Sequence, residues 1–203
     1  MAVDFKLYLI TDRGLVPDIL LSVEEALKGG VKAVQLREKD MQTRPLLELA
    51  YQVRELTLKY NAKLFINDRA DIALSVGADG VHLGQNSIPV NALKKTWPGL
   101  MAGASAHSLS EALIAERDGA DFITLGPVYE TPSKLKYGPP VGVGTLRRLK
   151  ARVGIPVFAI GGIKEDNIEE VMEAGADGVA LISGILKSPD IKTKTEEFMR
   201  ALQ

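Results

Sequence analysis

Short runs of apolar residues alternate along the chain with longer amphipathic segments. One phrase recurs before four of these runs, in which a small-residue turn follows a helical segment and precedes β-branched residues. Its four copies are G29-G-V-K-A-V-Q-L36, G77-A-D-G-V-H-L83, G119-A-D-F-I-T-L125 and G175-A-D-G-V-A-L181. Glycine commonly ends a helix, and a short apolar run is typical of a buried parallel strand. The phrase therefore predicts a helix-to-strand junction that the chain uses repeatedly.

Further apolar runs complete a pattern of alternating strands and helices. The additional strand candidates are K6-L-Y-L-I-T11, K63-L-F-I-N67, L100-M-A-G-A-S105 and I155-P-V-F-A-I160. A helical period near 3.6 is clearest in Leu46, Leu49, Ala50, Val53 and Leu56. Ser22 and Ser108 each precede a glutamate by three residues, which predicts two helix N-caps. Eight strands alternating with helices predict a single-domain (β/α)8 barrel over residues 1–203, with an open doubly wound sheet as the alternative.

Composition narrows the class of protein. The chain is 46% hydrophobic and 25% charged, and its 25 Lys and Arg against 26 Asp and Glu exclude the basic field that nucleic acid selects. The absence of cysteine excludes disulfides and thiolate metal sites. No apolar run approaches the ~20 residues of a membrane span, and the N-terminus lacks a signal-peptide pattern. We expect a cytoplasmic protein without nucleic-acid or membrane partners; its oligomeric state stays open, with a homodimer among the alternatives.

Polar residues alternate with apolar ones in V34-Q-L-R-E-K-D40, at the end of a predicted strand. The polar positions are Gln35, Arg37 and Lys39. If Val34 and Leu36 face the helices, these three face the barrel axis at its mouth, where such barrels build their active sites. Arginine suits bidentate phosphate contact and lysine supplies a point charge, so the pattern predicts an anion site. The alternative is a solvated loop in which the two cations pair with their acidic neighbours.

Two other strand ends carry candidate ligand groups. Asn67 and Asp68 offer hard oxygen ligands that suit Mg²⁺ shared with a phosphate, although an Asx turn capping the next helix is equally compatible. I160-G-G-I163 and I182-S-G-I185 match the barrel phosphate site, in which backbone N–H groups hold the anion; the alternative is a tight turn without a ligand. His82 lies inside a predicted strand, which favours a structural hydrogen-bonding role over that of a base.

The motifs taken together resemble the thiamine phosphate synthase family. They are L9-I-T-D12, Q35-L-R-E-K-D40, N67-D-R-A-D-I-A-L74, G80-V-H-L-G-Q85, S105-A-H-S108, G126-P-V-Y-E-T-P-S-K134, A159-I-G-G-I163 and G175-A-D-G-V-A-L-I-S183. The resemblance runs from about residue 6 to 186. It implies a (β/α)8 barrel that joins hydroxymethylpyrimidine diphosphate to hydroxyethylthiazole phosphate. Diphosphate leaves first, and the thiazole nitrogen then attacks a pyrimidine-methyl cation.

The resemblance also implies a role for individual residues. Contacts to the pyrimidine diphosphate fall to Gln35, Arg37, Lys39, Asn67, Ser105 and Lys134. Of these, the residues implied in catalysis are Arg37, Lys39, Ser105 and Lys134, the last contacting the released diphosphate. Contacts to the thiazole phosphate fall to Thr131, Ser133, Gly162, Ile182 and Ser183. Asp68 matches one of the family's two Mg²⁺ carboxylates.

One position departs from the family pattern. Ser87, in G84-Q-N-S-I-P89, stands where the second Mg²⁺ carboxylate is usual, and the loss of this charge predicts weak Mg²⁺ binding. The departure raises two alternatives: the related thiazole tautomerase, which shares the barrel and needs no metal, and a catalytically silent thiamine-metabolite binding protein. Against the tautomerase, Pro127 stands where a characterised branch of that group has a catalytic histidine.

Overall fold

A computed structural model of the chain describes residues 3–131 and 139–203. Eight parallel strands follow one another around a closed barrel in chain order, and β8 completes the closure by pairing with β1. The strands are β1 (Leu7–Ile10), β2 (Ala33–Leu36), β3 (Lys63–Asn67), β4 (Gly80–Leu83), β5 (Met101–Ala106), β6 (Phe122–Leu125), β7 (Val157–Ile160) and β8 (Gly178–Leu181). The (β/α)8 prediction is therefore confirmed, and the open sheet is wrong.

One or more α-helices follow each strand and surround the barrel. They are α1 (Ile19–Lys28), α2 (Thr43–Lys59), α3 (Ala70–Ser75), α4 (Val90–Thr96), α5 (Leu109–Arg117), α6 (Gly142–Lys150), α7 (Ile168–Glu173), α8 (Ser183–Leu186) and α9 (Ile191–Ala201). Four residues of the apolar face predicted for α2 are buried, and the fifth, Leu56, is partly buried. The last helix, α9, packs against α1, the first helix of the barrel's outer layer.

One of the two predicted N-caps is correct. Ser108 caps α5, accepting a hydrogen bond from the Glu111 N–H at 3.2 Å. Ser22 is not a cap, because α1 begins one turn earlier with Asp18 in that role. The Asp18 carboxylate accepts the Leu21 N–H at 3.0 Å, while the Ser22 hydroxyl donates to the Asp18 carbonyl oxygen at 2.7 Å. An aspartate at the earlier position satisfies the helix N-terminus and leaves the serine inside the first turn.

Apolar side chains form two separate clusters on the two sides of the strands. The larger lies between strands and helices and includes Val34 and Leu36. The smaller fills the barrel interior and is mainly aromatic: Phe5, Tyr8, Ile10, Ala33, Phe65, Met101, Phe122, Phe158 and Ala180. These rings contact one another edge to face or tilted, with centroids 5.0 to 6.2 Å apart. The interior is therefore packed, which leaves the mouth as the place for ligands.

Glycine makes this aromatic packing possible at one position in particular. A Cβ atom at Gly103 on β5 would lie 2.5 Å from a ring carbon of Phe122 and 2.6 Å from Nδ1 of His82. Both distances are far below van der Waals contact, so the two rings occupy the space that a side chain would take.

The aspartates of the repeated phrase lie at the N-terminal face of the barrel and clamp neighbouring strands together. Asp79, just before β4, accepts the Leu64 N–H of β3 at 2.9 Å and pairs with Arg54 at 2.8 Å. The same pair of contacts recurs for Asp121, with Ala102 N–H and Lys94, and for Asp177, with Val157 N–H and Lys150. Each clamp joins an even-numbered strand to the strand before it.

The first copy of the phrase lacks this clamp. Lys32 stands at the aspartate position, and its ammonium group donates to the Tyr60 carbonyl oxygen at 3.1 Å. At the N-terminal face, the β1–β2 pair is thus joined without the aspartate contact that serves the three later pairs.

Candidate active site at the barrel mouth

The residues after β2 supply positive charge at the C-terminal end of the barrel. Gln35 is 1% exposed and donates from Nε2 to the Tyr8 hydroxyl at 3.1 Å, so this position faces the barrel interior as predicted. Arg37 and Lys39 follow beyond the strand end, Arg37 partly exposed and Lys39 exposed. The alternation of the strand therefore directs this polar set towards the mouth.

The acidic neighbours of these cations are engaged elsewhere. The buried Glu38 carboxylate accepts the Thr11 hydroxyl at 2.6 Å and the Arg13 N–H at 3.1 Å. Asp40 forms its ion pair with the Arg13 guanidinium at 2.6 Å. Within residues 3–131 and 139–203, neither Arg37 nor Lys39 forms an ion pair. The structure thus lacks the paired, solvated loop considered as the alternative, and the two charges are available to an anion.

Asp68 lies after β3 in an uncommon backbone conformation. Its φ of 62° is left-handed, a region that non-glycine residues rarely adopt and that often marks functional positions. The carboxylate accepts the Asn67 side-chain amide at 2.7 Å and the Gly84 N–H at 3.3 Å, and the Ser87 hydroxyl donates to it directly. It does not cap α3, whose first residue is preceded by Arg69 without a side-chain cap. The Asx-turn alternative is therefore wrong.

The contact between Asp68 and Ser87 brings together the two positions at which the resemblance implies a metal. Carboxylate, amide and hydroxyl oxygens are hard donors of the kind that Mg²⁺ takes. Only one of them is charged, and among the described residues no three His, Cys, Asp or Glu side chains are grouped so as to hold an ion. The donor atoms present would fit a Mg²⁺ ion that also took ligands from a bound diphosphate and water, and by themselves they do not form an all-protein cage.

A buried polar network connects three neighbouring strands below the mouth. The Nε2 atom of His82 on β4 lies 3.1 Å from the Ser105 hydroxyl on β5 and 3.4 Å from the Thr124 hydroxyl on β6. His82 is 3% exposed, and burial lowers its pKa to about 4. Its Nδ1 atom is the one buried side-chain nitrogen or oxygen without a hydrogen-bond partner in the part of the chain that the structure describes. Ser105 itself is partly exposed, so the network reaches the mouth.

The glycine pair after β7 has left-handed backbone angles, with φ of 97° at Gly161 and 69° at Gly162. A Cβ atom at Gly162 would lie 2.7 Å from Cβ of Tyr129, so close packing against the segment after β6 already requires glycine here. The Tyr129 N–H donates to the Gly161 carbonyl oxygen at 3.0 Å, which ties the two loops together. A phosphate role for Gly162 stays a prediction.

The remaining predicted residues follow β6 and β8. Ile182 and Ser183 stand where β8 passes into α8, with Ser183 as the first residue of that four-residue helix. Thr131 ends the first described range and is partly buried. Ser133 and Lys134 lie outside the described residues. The structure therefore gathers Gln35, Arg37, Lys39, Asn67, Asp68, Ser87, Ser105, Thr131, Gly162, Ile182 and Ser183 at or just inside the C-terminal end of the barrel.

Comparison with known proteins identifies the family. The profile of a family described as thiamine monophosphate synthase matches residues 7–185. A putative thiamine-phosphate synthase of Geobacter sulfurreducens is 52% identical over 98% of this chain and 95% of its own length. The chain belongs to the thiamine monophosphate synthase family. Its relatives in that family include the thiamine-phosphate synthase of Clostridium acetobutylicum, 47% identical over 95% of this chain and 92% of its own length.

Solved structures agree with the family assignment. Thiamine phosphate pyrophosphorylase from Pyrococcus furiosus superposes with a TM-score of 0.91 at 44% identity, covering 98% of this chain and 95% of its own. A 3-hexulose-6-phosphate synthase superposes with a TM-score of 0.71 at 17% identity, which shows a shared fold alone. None of the described helices combines the length and the apolar character needed to cross a membrane.

The sequence interpretation missed the shared use of His82 by Ser105 and Thr124. A signal was nevertheless present, because Gln35, His82 and Thr124 occupy the same position of the repeated phrase, one residue before its final leucine. All three side chains are buried in the barrel interior, where polar residues are uncommon.

Proposed function

We propose that the protein is a transferase that condenses hydroxymethylpyrimidine diphosphate with hydroxyethylthiazole phosphate, giving thiamine phosphate and diphosphate. The observation that carries this proposal is the pair of cations Arg37 and Lys39, which form no ion pair with any residue that the structure describes and follow β2 as the oxygen donors of Asn67 and Asp68 follow β3. Such a site binds a diphosphate and its counter-ion. Family membership supplies the two organic substrates.

The chemistry expected at this site needs charge stabilisation more than a strong base. When the bond from the pyrimidine methylene carbon to the diphosphate oxygen breaks, negative charge accumulates on the leaving diphosphate. Arg37 would contact that charge bidentately and Lys39 as a point charge, with Lys134 assigned to the same group. Gln35, Asn67 and Ser105 would orient the pyrimidine diphosphate, so that the cation forms within reach of the thiazole nitrogen.

The second substrate would be held mainly by residues that follow β7 and β8. The thiazole phosphate would be bound by Thr131, Ser133, Gly162, Ile182 and Ser183.

Mg²⁺ held by Asp68 would neutralise part of the diphosphate charge. The small phosphorylated substrates and the composition of the chain support a cytoplasmic location.

The test is release of diphosphate from purified protein supplied with both substrates and Mg²⁺. We expect stoichiometric formation of thiamine phosphate and diphosphate, and no turnover when either substrate is omitted. Conversion of a thiazole carboxylate phosphate to its tautomer, with no diphosphate released and no effect of chelation, would replace the proposal with the tautomerase. Binding of both substrates without turnover would leave a silent binding protein.

A further inference from the structure

His82 lies at a point where the packed interior of the barrel meets the mouth. Its ring lies 5.8 Å, centroid to centroid, from both Tyr8 and Phe122, and the missing side chain of Gly103 provides the space beside Nδ1. An imidazole enclosed in this way cannot rotate without displacing an aromatic neighbour. The orientation of its two nitrogens is therefore fixed by packing, with Nε2 towards Ser105.

The surroundings of the two nitrogens indicate which of them carries the proton. A buried neutral imidazole has one N–H donor and one acceptor nitrogen. Nδ1 has no partner among the described residues, whereas Nε2 has the Ser105 and Thr124 hydroxyl oxygens. Orphaned N–H groups are rarer in protein interiors than under-satisfied acceptors. The favoured tautomer is therefore the one with the proton on Nε2, which leaves only a lone pair at Nδ1.

This tautomer determines what Ser105 offers to a ligand. When Nε2–H donates to Oγ of Ser105, the serine's own hydrogen is directed elsewhere, and the exposed side of the hydroxyl is the mouth. If Nε2 were the acceptor, the serine hydrogen would point at the imidazole and a lone pair would face the substrate. An anionic diphosphate requires a donor, so only the first arrangement suits it.

We propose that His82 is a positioning residue whose Nε2–H holds the Ser105 hydroxyl as a hydrogen-bond donor towards the diphosphate. The inference rests on the proposed function for the identity of the ligand, and the tautomer itself is independent of that function. His82 acts through Ser105 and does not itself contact substrate. Thr124, which is 3% exposed and also lies within reach of Nε2, serves as a buried second contact.

The tautomer is tested directly by nitrogen NMR of ¹⁵N-histidine-labelled protein. The chain has two histidines, so comparison with His107→Gln assigns the His82 signals. We expect a neutral ring at pH 7 with protonated Nε2 and bare Nδ1. A ring protonated at Nδ1 would overturn the proposal, whatever the activity of the protein. This measurement uses the wild-type chain and does not depend on any His82 variant folding.

Steady-state kinetics test whether His82 influences turnover through Ser105. His82→Gln carries an amide N–H near the Nε2 position and should retain most of the wild-type kcat/KM. His82→Leu should lower kcat/KM about tenfold, because it removes one hydrogen bond to the serine that donates to the charged diphosphate. In a Ser105→Ala background the same His82→Leu change should alter kcat/KM less than twofold, and in a Thr124→Val background it should keep its full effect. Equal losses in all three backgrounds would show a merely structural role and overturn the proposal.

The two proposals fail in distinguishable ways. Failure of the proposed function appears as wild-type protein that does not release diphosphate, a result that leaves the NMR tautomer unchanged. If the positioning role is wrong, the wild-type protein releases diphosphate but shows the Nδ1–H tautomer, or His82→Leu lowers kcat/KM equally with and without Ser105.

Discussion

Three aspartates at the N-terminal face of the barrel and two cations at its mouth differ in whether they have partners within the protein. At the N-terminal face, Asp79, Asp121 and Asp177 each receive a backbone N–H and a cation within 3 Å. At the mouth, Arg37 and Lys39 form no ion pair within the described ranges, and Asp68 is held in a left-handed conformation. Charges satisfied within the protein hold strands together, while charges left without partners remain able to bind a ligand. The aspartates at the N-terminal face therefore serve stability, and the two cations at the mouth remain available for ligand binding.

The sharpest test of this contrast compares two variants, each with one arginine replaced by alanine at one end of the barrel. Arg37→Ala should lower kcat by ~10²–10³, because one stabilising contact to the developing diphosphate charge is lost, and should change the unfolding free energy by less than ~0.5 kcal/mol. Arg54→Ala, the matched control at the opposite end, should leave kcat within about twofold and lower stability instead. Steady-state diphosphate release and urea unfolding measure the two effects. Comparable losses of kcat in both variants would contradict the division.

A second test removes one clamp. Asp121→Ala leaves the Ala102 N–H and the Lys94 ammonium without their acceptor and should destabilise the barrel by about 2 kcal/mol. Turnover per folded molecule should stay unchanged because the clamp lies at the far end of the strands. Glu196→Ala, which breaks an exposed pair with Lys192 at 3.7 Å, should cost less than ~0.5 kcal/mol. A clamp variant as stable as this control would show that the carboxylate contributes nothing.

The smallest expected effect concerns the metal. Ser87→Asp adds a second carboxylate beside Asp68 and should lower the Mg²⁺ concentration for half-maximal rate by about tenfold, since partly solvated charges at ~4 Å interact by a few kcal/mol at most. Ser87→Asn, of similar size and without the charge, should show no such gain. Arg69 is held bidentately by Asp71 at 2.6 and 2.8 Å, so it is engaged before the new charge appears.

The wild-type enzyme bears on the same assignment. Its activity should be abolished by chelation of Mg²⁺ and restored by adding the ion back. Activity that ignores chelation would contradict the metal role of Asp68.

Much of the fold was predictable because the repeated phrase marks helix-to-strand junctions. The inward direction of Gln35 followed from simple alternation, and the buried contact with Tyr8 confirms it. The cap of α1 was not predictable from spacing, because Asp18 and Ser22 both offer a suitable oxygen and only the actual first turn decides between them. Local patterns therefore predict elements well and their ends less well.

The site was predictable residue by residue but not as a set of contacts. Sequence motifs indicated Asp68 and Ser87, yet the hydrogen bond between them joins loops that are distant in sequence. The sharing of His82 between Ser105 and Thr124 depends on the register of three strands and on the space left by Gly103. Neither the register nor that space can be read from any single motif.

Because Lys32 replaces the aspartate of the other copies, the N-terminal end of the β1–β2 pair should be less stable than that of the three clamped pairs. The three clamped strand pairs each have a carboxylate cross-link at the N-terminal face, whereas the carboxylate that joins β1 to β2, that of Glu38, lies at the mouth. Among the four strand pairs joined at a copy of the repeated phrase, β1–β2 should therefore be the first to open at the N-terminal face, and its amides there should exchange with deuterium before those of the three clamped pairs. The same pair carries Arg37 and Lys39 at its other end. Diphosphate binding should in consequence slow exchange more in β1–β2 than in the three clamped pairs.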